Sequence, residues 1–365
     1  MEIYVLLIGV LIILGTLIEI GKNGNWSAAF AVPGRRPVWS VNFCFWLMIG
    51  GILILFGGLR YQVGDDFDSY YLIFENISED WGTILYEGTE TGYVWLNRLV
   101  SVWTDNPQWI MVVTTAIISL CGLAAICRES KLVPFSLFVF FTTIYYQGFN
   151  LIRQCIACAM VLLALSYAKR DEWIRACLWL VLASLFHRTA LVCIPVFILA
   201  RFQYRPVFLV LFLGGCCLSF LLREPLNHFL LAIYPTAAEA SDSYLYESIS
   251  PVQVILCGIY MALCLKYYRS MLERAPGNVM YVNLSVFLFG IYTFFYWIPM
   301  WGRLQLYFIG MYALIAPEVI SCEKNRKLRV LYYAVIWGIL LFFFIVPKLS
   351  GDIGTWEYQT IFSQR

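Results

Sequence analysis

The sequence predicts an all-α, polytopic membrane protein of about 12 transmembrane helices, and three observations carry that expectation. Of its 365 residues, 61% are hydrophobic, 18% aromatic and only 13% charged, which leaves too little polar surface for a soluble fold of this length. Apolar runs recur along the whole chain. Lys and Arg collect in alternate connections between those runs, the bias that orients spans across a bilayer.

A span needs about 20 mostly apolar residues. The runs place helices near residues 2–20, 40–59, 108–127, 132–148, 149–168, 173–186, 188–200, 206–222, 251–268, 278–297, 299–317 and 328–346. The first is read as a retained span, because a signal peptide precedes a polar mature chain and here further apolar runs follow. The stretch from Trp173 to Ala200 is too long for one span and short for two, and His187-Arg188-Thr189 interrupts it. Two short helices meeting at that polar point are expected, a break tolerated where backbone is buried in protein or lines a cavity. If the segment is re-entrant, the number of spans lies between about 10 and 12.

The connections holding Lys22, Arg35 and Arg36, then Arg128 and Lys131, Lys169, Arg170 and Arg175, Arg201 and Arg205, Lys266, Arg269 and Arg274, and Lys324 to Arg329 carry most of the 25 basic residues. They are expected on the cytoplasmic side of a bacterial cell membrane, with both termini outside. The alternation survives only if the chain reverses at His187. The outer side then receives loops 60–107 and 223–250 and a tail over 347–365, all within one transmembrane domain, 1–365. The first loop is acidic, with nine carboxylates between Asp65 and Asp105.

Several function classes lose their footing here. A net charge of +2 without a basic tail argues against nucleic acid. All but one of the 12 cysteines lie in apolar runs, so neither a disulfide framework nor a zinc pattern follows. Cys155 and Cys158 form a C-x-x-C inside an apolar helix, where free Cys packs as a small hydrophobe. Motifs of soluble hydrolases, P-loop ATPases and zinc proteases are absent. Asn25, Asn76 and Asn283 begin N-x-S/T triplets that carry no weight in a chain of this length.

Against the charge bias, Arg60, Arg153, Arg188 and Arg303 each fall at the expected outer end of a helix. An arginine at membrane depth costs a few kcal/mol unless it pairs or meets water. Snorkelling or pairing to the acidic loops would explain one of them. Four together suit an anionic lipid headgroup, since the guanidinium fork matches phosphate oxygens and stays charged. Asn150, Arg153 and Gln154 are expected on one helix face, as are Arg303 and Tyr307. His187, one of two histidines, stands at the polar break as a candidate base or phosphate donor, whereas His228 lies in an outer loop. In Gly64-Asp65-Asp66-Phe67-Asp68-Ser69-Tyr70, Asp66 and Asp68 make a D-x-D pattern, but nucleotide sugars are cytoplasmic and this loop is expected outside. A carboxylate there is instead a candidate proton acceptor or a partner for Arg60. No metal and no cofactor is expected.

Arg60 followed by Gly64-Asp65-Asp66 and Tyr70, then Asn150-Leu-Ile-Arg153-Gln154, Phe186-His187-Arg188-Thr189-Ala190, and Arg303 with Tyr307, resembles the EpsG-like branch of the Wzy-type polysaccharide polymerases. The first motif departs from the pattern, because Asp65 stands where a small hydroxyl residue is usual, leaving Asp65 or Asp66 as the matching acid. Glu357-Tyr358-Gln359 is a weaker echo lacking a proline. The resemblance implies a C-type membrane glycosyltransferase fold. It also implies that the chain joins undecaprenyl-diphosphate-linked oligosaccharides at the outer face of the membrane, for capsule, exopolysaccharide or O-antigen, with lipid diphosphate as leaving group. Arg153, Arg303, Arg60 and Arg188 would then hold the diphosphate, with His187 or Asp66 as base and Asn150, Gln154, Tyr307, Asp65 and Tyr70 in support. A chain-length regulator and a flippase are possible partners. A lipid-linked oligosaccharide flippase, or an outer-face ligase or acyltransferase, are the alternatives.

Overall fold

A computed structural model describes residues 2–23, 41–79, 88–204, 206–233, 251–298, 301–349 and 357–363. Among these the protein is helical, with one isolated antiparallel bridge between Arg60 and Thr360. The helices are α1 (Glu2–Asn23), α2 (Val41–Gly58), α3 (Phe67–Glu79), α4 (Thr91–Ser101), α5 (Gln108–Glu129), α6 (Val133–Phe140), α7 (Ile152–Ala168) and α8 (Trp173–Phe186). They continue as α9 (Cys193–Ala200), α10 (Pro206–Leu221), α11 (Arg223–Ile233), α12 (Pro251–Lys266), α13 (Tyr268–Arg274), α14 (Val279–Phe294), α15 (Trp301–Ser321) and α16 (Arg326–Leu349).

The all-helical expectation is met among the described residues, whereas the count of about 12 transmembrane helices is not confirmed. Among the described residues five helices are long and apolar enough to cross a membrane, or seven if two bent pairs each count as one. The bends lie between α10 and α11 at 77° and between α12 and α13 at 69°. Four further apolar helices are shorter, including both halves of the 173–200 segment. There the predicted break is present: His187 is extended (φ −157°, ψ 112°) and a 3-10 turn over Arg188–Val192 leads into α9. Loop 60–107 proves to be structured, carrying α3 and α4, while its residues 80–87 lie outside the described chain. Residues 234–250 of the second loop and 350–356 of the tail do as well.

Position in the bundle follows from which faces are apolar. α7 is hydrophobic all round and all but Arg153 and Tyr167 of its residues are buried, as expected of a central helix. α5, α8 and α15 pack around it; α1 lies on α6, α2 on α5, and α14 on α10 and α12. On α8, Ile174, Leu178, Val181 and Leu185 form an exposed apolar stripe at helical spacing. In water such a stripe would be a liability, whereas here it is the face turned to lipid.

One end of this membrane protein collects the basic connections. Arg128 pairs with Glu172 at 2.9 Å, Lys169 with Glu129 at 2.7 Å, and Lys266 approaches Glu323 at 3.8 Å. α7 carries Arg153 at its start and leads into Lys169 at its end, separating the two ends by about 25 Å of helix. Arg128, Lys169 and Lys266 thus stand away from Arg153, as the charge pattern predicts, while Arg35, Arg36 and Arg205 of the basic connections lie outside the described residues.

Candidate functional site

At the end of the bundle opposite Lys169, four motifs far apart in sequence are brought side by side, and irregular backbone makes this possible. After α6 the chain passes through a π-helical stretch (Phe141–Tyr145) and a 3-10 turn (Gln147–Phe149) before α7 starts at Ile152. Asn150 therefore precedes the helix and does not share a face with Arg153 and Gln154, as a continuous 149–168 helix would require. Freed from the helix, the Asn150 side-chain oxygen accepts the Asp65 N–H at 2.8 Å. Gly64 permits that contact with φ +107°, and a Cβ there would sit 2.5 Å from the Phe149 carbonyl oxygen. The acidic loop is thus held by its backbone, and the Asp65 and Asp66 side chains are exposed.

Arg153 opens outward from the first turn of α7. It forms an ion pair with Glu90, donates to the Gly88 carbonyl oxygen at 2.9 Å, and hydrogen-bonds to Tyr70 of α3. Burial pushes the Tyr70 phenol up to about 12 although the Arg153 charge pulls the other way. The other carboxylate oxygen of Glu90 lies 2.8 Å from His187 Nδ1. His187 then faces Tyr307 of α15, ring against ring at 6.5 Å and 22°. The Tyr307 hydroxyl meets Thr189 Oγ1 at 3.1 Å. Gln154, beside Arg153 and buried, donates to the Arg303 carbonyl oxygen and so ties the starts of α7 and α15 together. Arg188 is exposed and, among the described residues, makes no ion pair.

Arg60 does not join this group. It is 1% exposed, donates to the Gly57 carbonyl oxygen and to Thr115 Oγ1 at 3.4 Å, and lies over the Phe149 ring at 4.6 Å. No carboxylate among the described residues reaches it, so the expected pairing with Asp65 or Asp66 is absent. Gln108 and the tail hold its backbone: Gln108 Nε2 reaches the Arg60 carbonyl oxygen at 3.1 Å and the Tyr61 N–H donates to Gln359 at 2.9 Å. Tyr358 of the Glu357-Tyr358-Gln359 echo stacks on Phe56 at 4.2 Å. His228 lies exposed on α11. Among the described residues no three of His, Cys, Asp and Glu gather as metal ligands.

Sequence reasoning missed Glu90, one of nine carboxylates in its loop. Its signal is local: it precedes α4 as the N-cap, and Gly92 follows two residues on. A Cβ at Gly92 would meet the Leu185 carbonyl oxygen at 2.7 Å, so only glycine lets α4 approach the end of α8 and deliver Glu90 to His187. Gly92→Ala is expected to push α4 away and lower activity with the bundle intact, checked by turnover beside an unchanged circular-dichroism spectrum. Burial opposes ionisation of Glu90, but the His187 hydrogen bond and the Arg153 charge hold its carboxyl below the usual carboxylate range. A depressed carboxylate stabilises the fold fully above its unfolded pKa, and that share is lost as pH falls through the folded pKa. Wild type should therefore lose more thermal stability than Glu90→Gln on acidification below the ordinary carboxylate range.

The fold and the site define an all-helical membrane protein with an arginine-, histidine- and carboxylate-bearing cluster at one end of an apolar bundle. The chain belongs to the EpsG family, whose model matches residues 43–360 and so spans all four motifs. EpsG-like proteins are Wzy-type polymerases, which places the chain in polysaccharide biosynthesis as a glycosyltransferase-type polymerase. No curated protein and no solved structure gives a significant match to it.

Proposed function

We propose that the protein joins undecaprenyl-diphosphate-linked oligosaccharide repeat units at the outer face of the bacterial cytoplasmic membrane. The observation supporting this reading is the convergence of Arg153, Arg303, His187 and Tyr307 at the end of the bundle away from the basic connections. A lipid-linked diphosphate brings its anion to that depth while its tail lies in the bilayer.

A hydroxyl of one unit attacks the anomeric carbon of the other, and lipid diphosphate leaves with the bonding electron pair. Charge grows on the diphosphate, where preorganised guanidinium groups lower the barrier. Arg153 and Arg303 contact the diphosphate, and the exposed Arg188 closes over it. Arg60, buried, adds its charge from behind without touching the ligand. Asn150 and Asp65 fix the acidic loop, while Gln154, Tyr70 and Tyr307 hold the two arginine-bearing helices in place.

Purified protein given a synthetic undecaprenyl-diphosphate oligosaccharide is expected to produce ladders that persist under a chelator and disappear in Arg303→Ala. Translocation of the donor across proteoliposomes without ladders would overturn the polymerase in favour of a flippase.

A further inference from the structure

Glu90 and His187 are 97 positions apart in sequence and are brought into contact by local features of three elements. Extended backbone at His187 turns its ring out of α8. Gly92 admits α4 against Leu185, Glu90 sits at the start of α4, and Arg153 fixes its second oxygen. His187 Nδ1 lies 2.8 Å from Glu90 Oε1, while Nε2 has no hydrogen-bond partner among the described residues although it is shielded. An ionised carboxylate only accepts, so the ring N–H belongs on Nδ1 and the lone pair on Nε2. A buried polar atom without a partner costs free energy unless a ligand supplies one. Asp66, the other candidate base, is exposed, and among the described residues no side chain is hydrogen-bonded to it.

We propose that Glu90 is a positioning residue that locks His187 in the Nδ1–H tautomer, so that Nε2 takes the proton of the attacking sugar hydroxyl. This rests on the polymerase reading above. The acceptor O–H bond breaks toward Nε2, giving an imidazolium hydrogen-bonded to Glu90. The acceptor oxygen bonds the anomeric carbon as the bond from that carbon to the diphosphate oxygen breaks, its electron pair leaving on lipid diphosphate. The imidazolium then returns its proton to water. The partner that Nε2 lacks is, on this proposal, a hydroxyl of the acceptor unit, which puts the acceptor on the His187–Tyr307 side of the site and the diphosphate on the Arg153 side.

The chain has two histidines, so protein labelled with ¹⁵N-histidine gives two sets of ring signals, and His228→Gln assigns them. In wild type the His187 signals are expected to show a protonated Nδ1 and a bare Nε2. In Glu90→Gln the carboxamide can donate to Nδ1, so the tautomer should flip, with kcat falling about 100-fold to 10,000-fold and KM for the donor changing far less. Glu90→Asp should keep the tautomer and part of the rate. A wild-type ring protonated at Nε2, an unchanged tautomer and kcat in Glu90→Gln, or a loss carried by KM alone would overturn the proposal. The last result would make Glu90 merely a holder of Arg153. If wild type forms no product from the lipid-diphosphate donor, the polymerase reading fails and the proton-transfer role falls with it, while the tautomer still reports whether Glu90 orients His187.

Discussion

Arg153→Ala is expected to lower polymerisation about 100-fold to 1,000-fold, the usual effect of removing one preorganised electrostatic contact from a transition state that gathers charge. Arg153 is the most connected functional side chain at the site, joined to Glu90, the Gly88 carbonyl and Tyr70. Its five N–H donors suffice to hold these partners and still face a diphosphate. The alanine variant loses that contact and also leaves Glu90 half-buried with His187 alone. Arg153→Lys should recover only part of the rate, because a lysine keeps the charge but not the planar fork. Rates of purified variants, beside thermal midpoints showing an intact bundle, check this. A fully active alanine variant would remove Arg153 from the site.

The largest effect on stability is expected at the other end. Lys169 is 8% exposed and follows α7, its Nζ 2.7 Å from Glu129 and 3.7 Å from Glu318, and 4.5 Å from the Tyr281 ring. Asn278 donates to the same Glu318 at 3.2 Å. One ammonium thus neutralises carboxylates from α5 and α15 where both are nearly inaccessible. Removing one partner of such a buried group leaves uncompensated charge and costs about 3–5 kcal/mol. Lys169→Met should therefore lower the thermal midpoint in detergent sharply. Adding Glu318→Gln should restore much of it, since Glu129 retains Arg170. An unchanged midpoint in Lys169→Met would show that the network carries no stability.

How much of this was legible in the sequence depends on the range of the signal. Apolar runs located the long apolar helices, because each bilayer-facing or core-facing stretch must satisfy its own backbone, but they left out α3, α4, α11 and α13, which are short and mixed in polarity. The break at His187 was visible as three polar residues in an apolar run, and the segregation of basic loops needed only counting. Helix lengths were less legible: the π and 3-10 turns after α6 and the sharp bends after α10 and α12 follow from packing that no local pattern records. The same irregularity moved Asn150 off the face of Arg153 and gave it the acidic loop to hold.

Within the site, motif residues were found because each stands out locally, an arginine or histidine against apolar neighbours. Glu90 does not stand out among the carboxylates around it. Its importance comes from a contact with α8 that a glycine two residues away permits. Arg60 shows the converse. It is conspicuous in sequence, yet Gly57, Thr115 and Phe149 enclose it, and only the fold reveals that it faces inward.

The most direct test is the amount of undecaprenyl diphosphate released per glycosidic bond formed by purified wild-type protein in proteoliposomes. Release in a one-to-one ratio with chain growth, from donor supplied on the face that carries Arg153, is the expected result. Polymer growth without release of lipid diphosphate, or release without growth, would contradict a glycosyl transfer driven by a lipid-diphosphate leaving group.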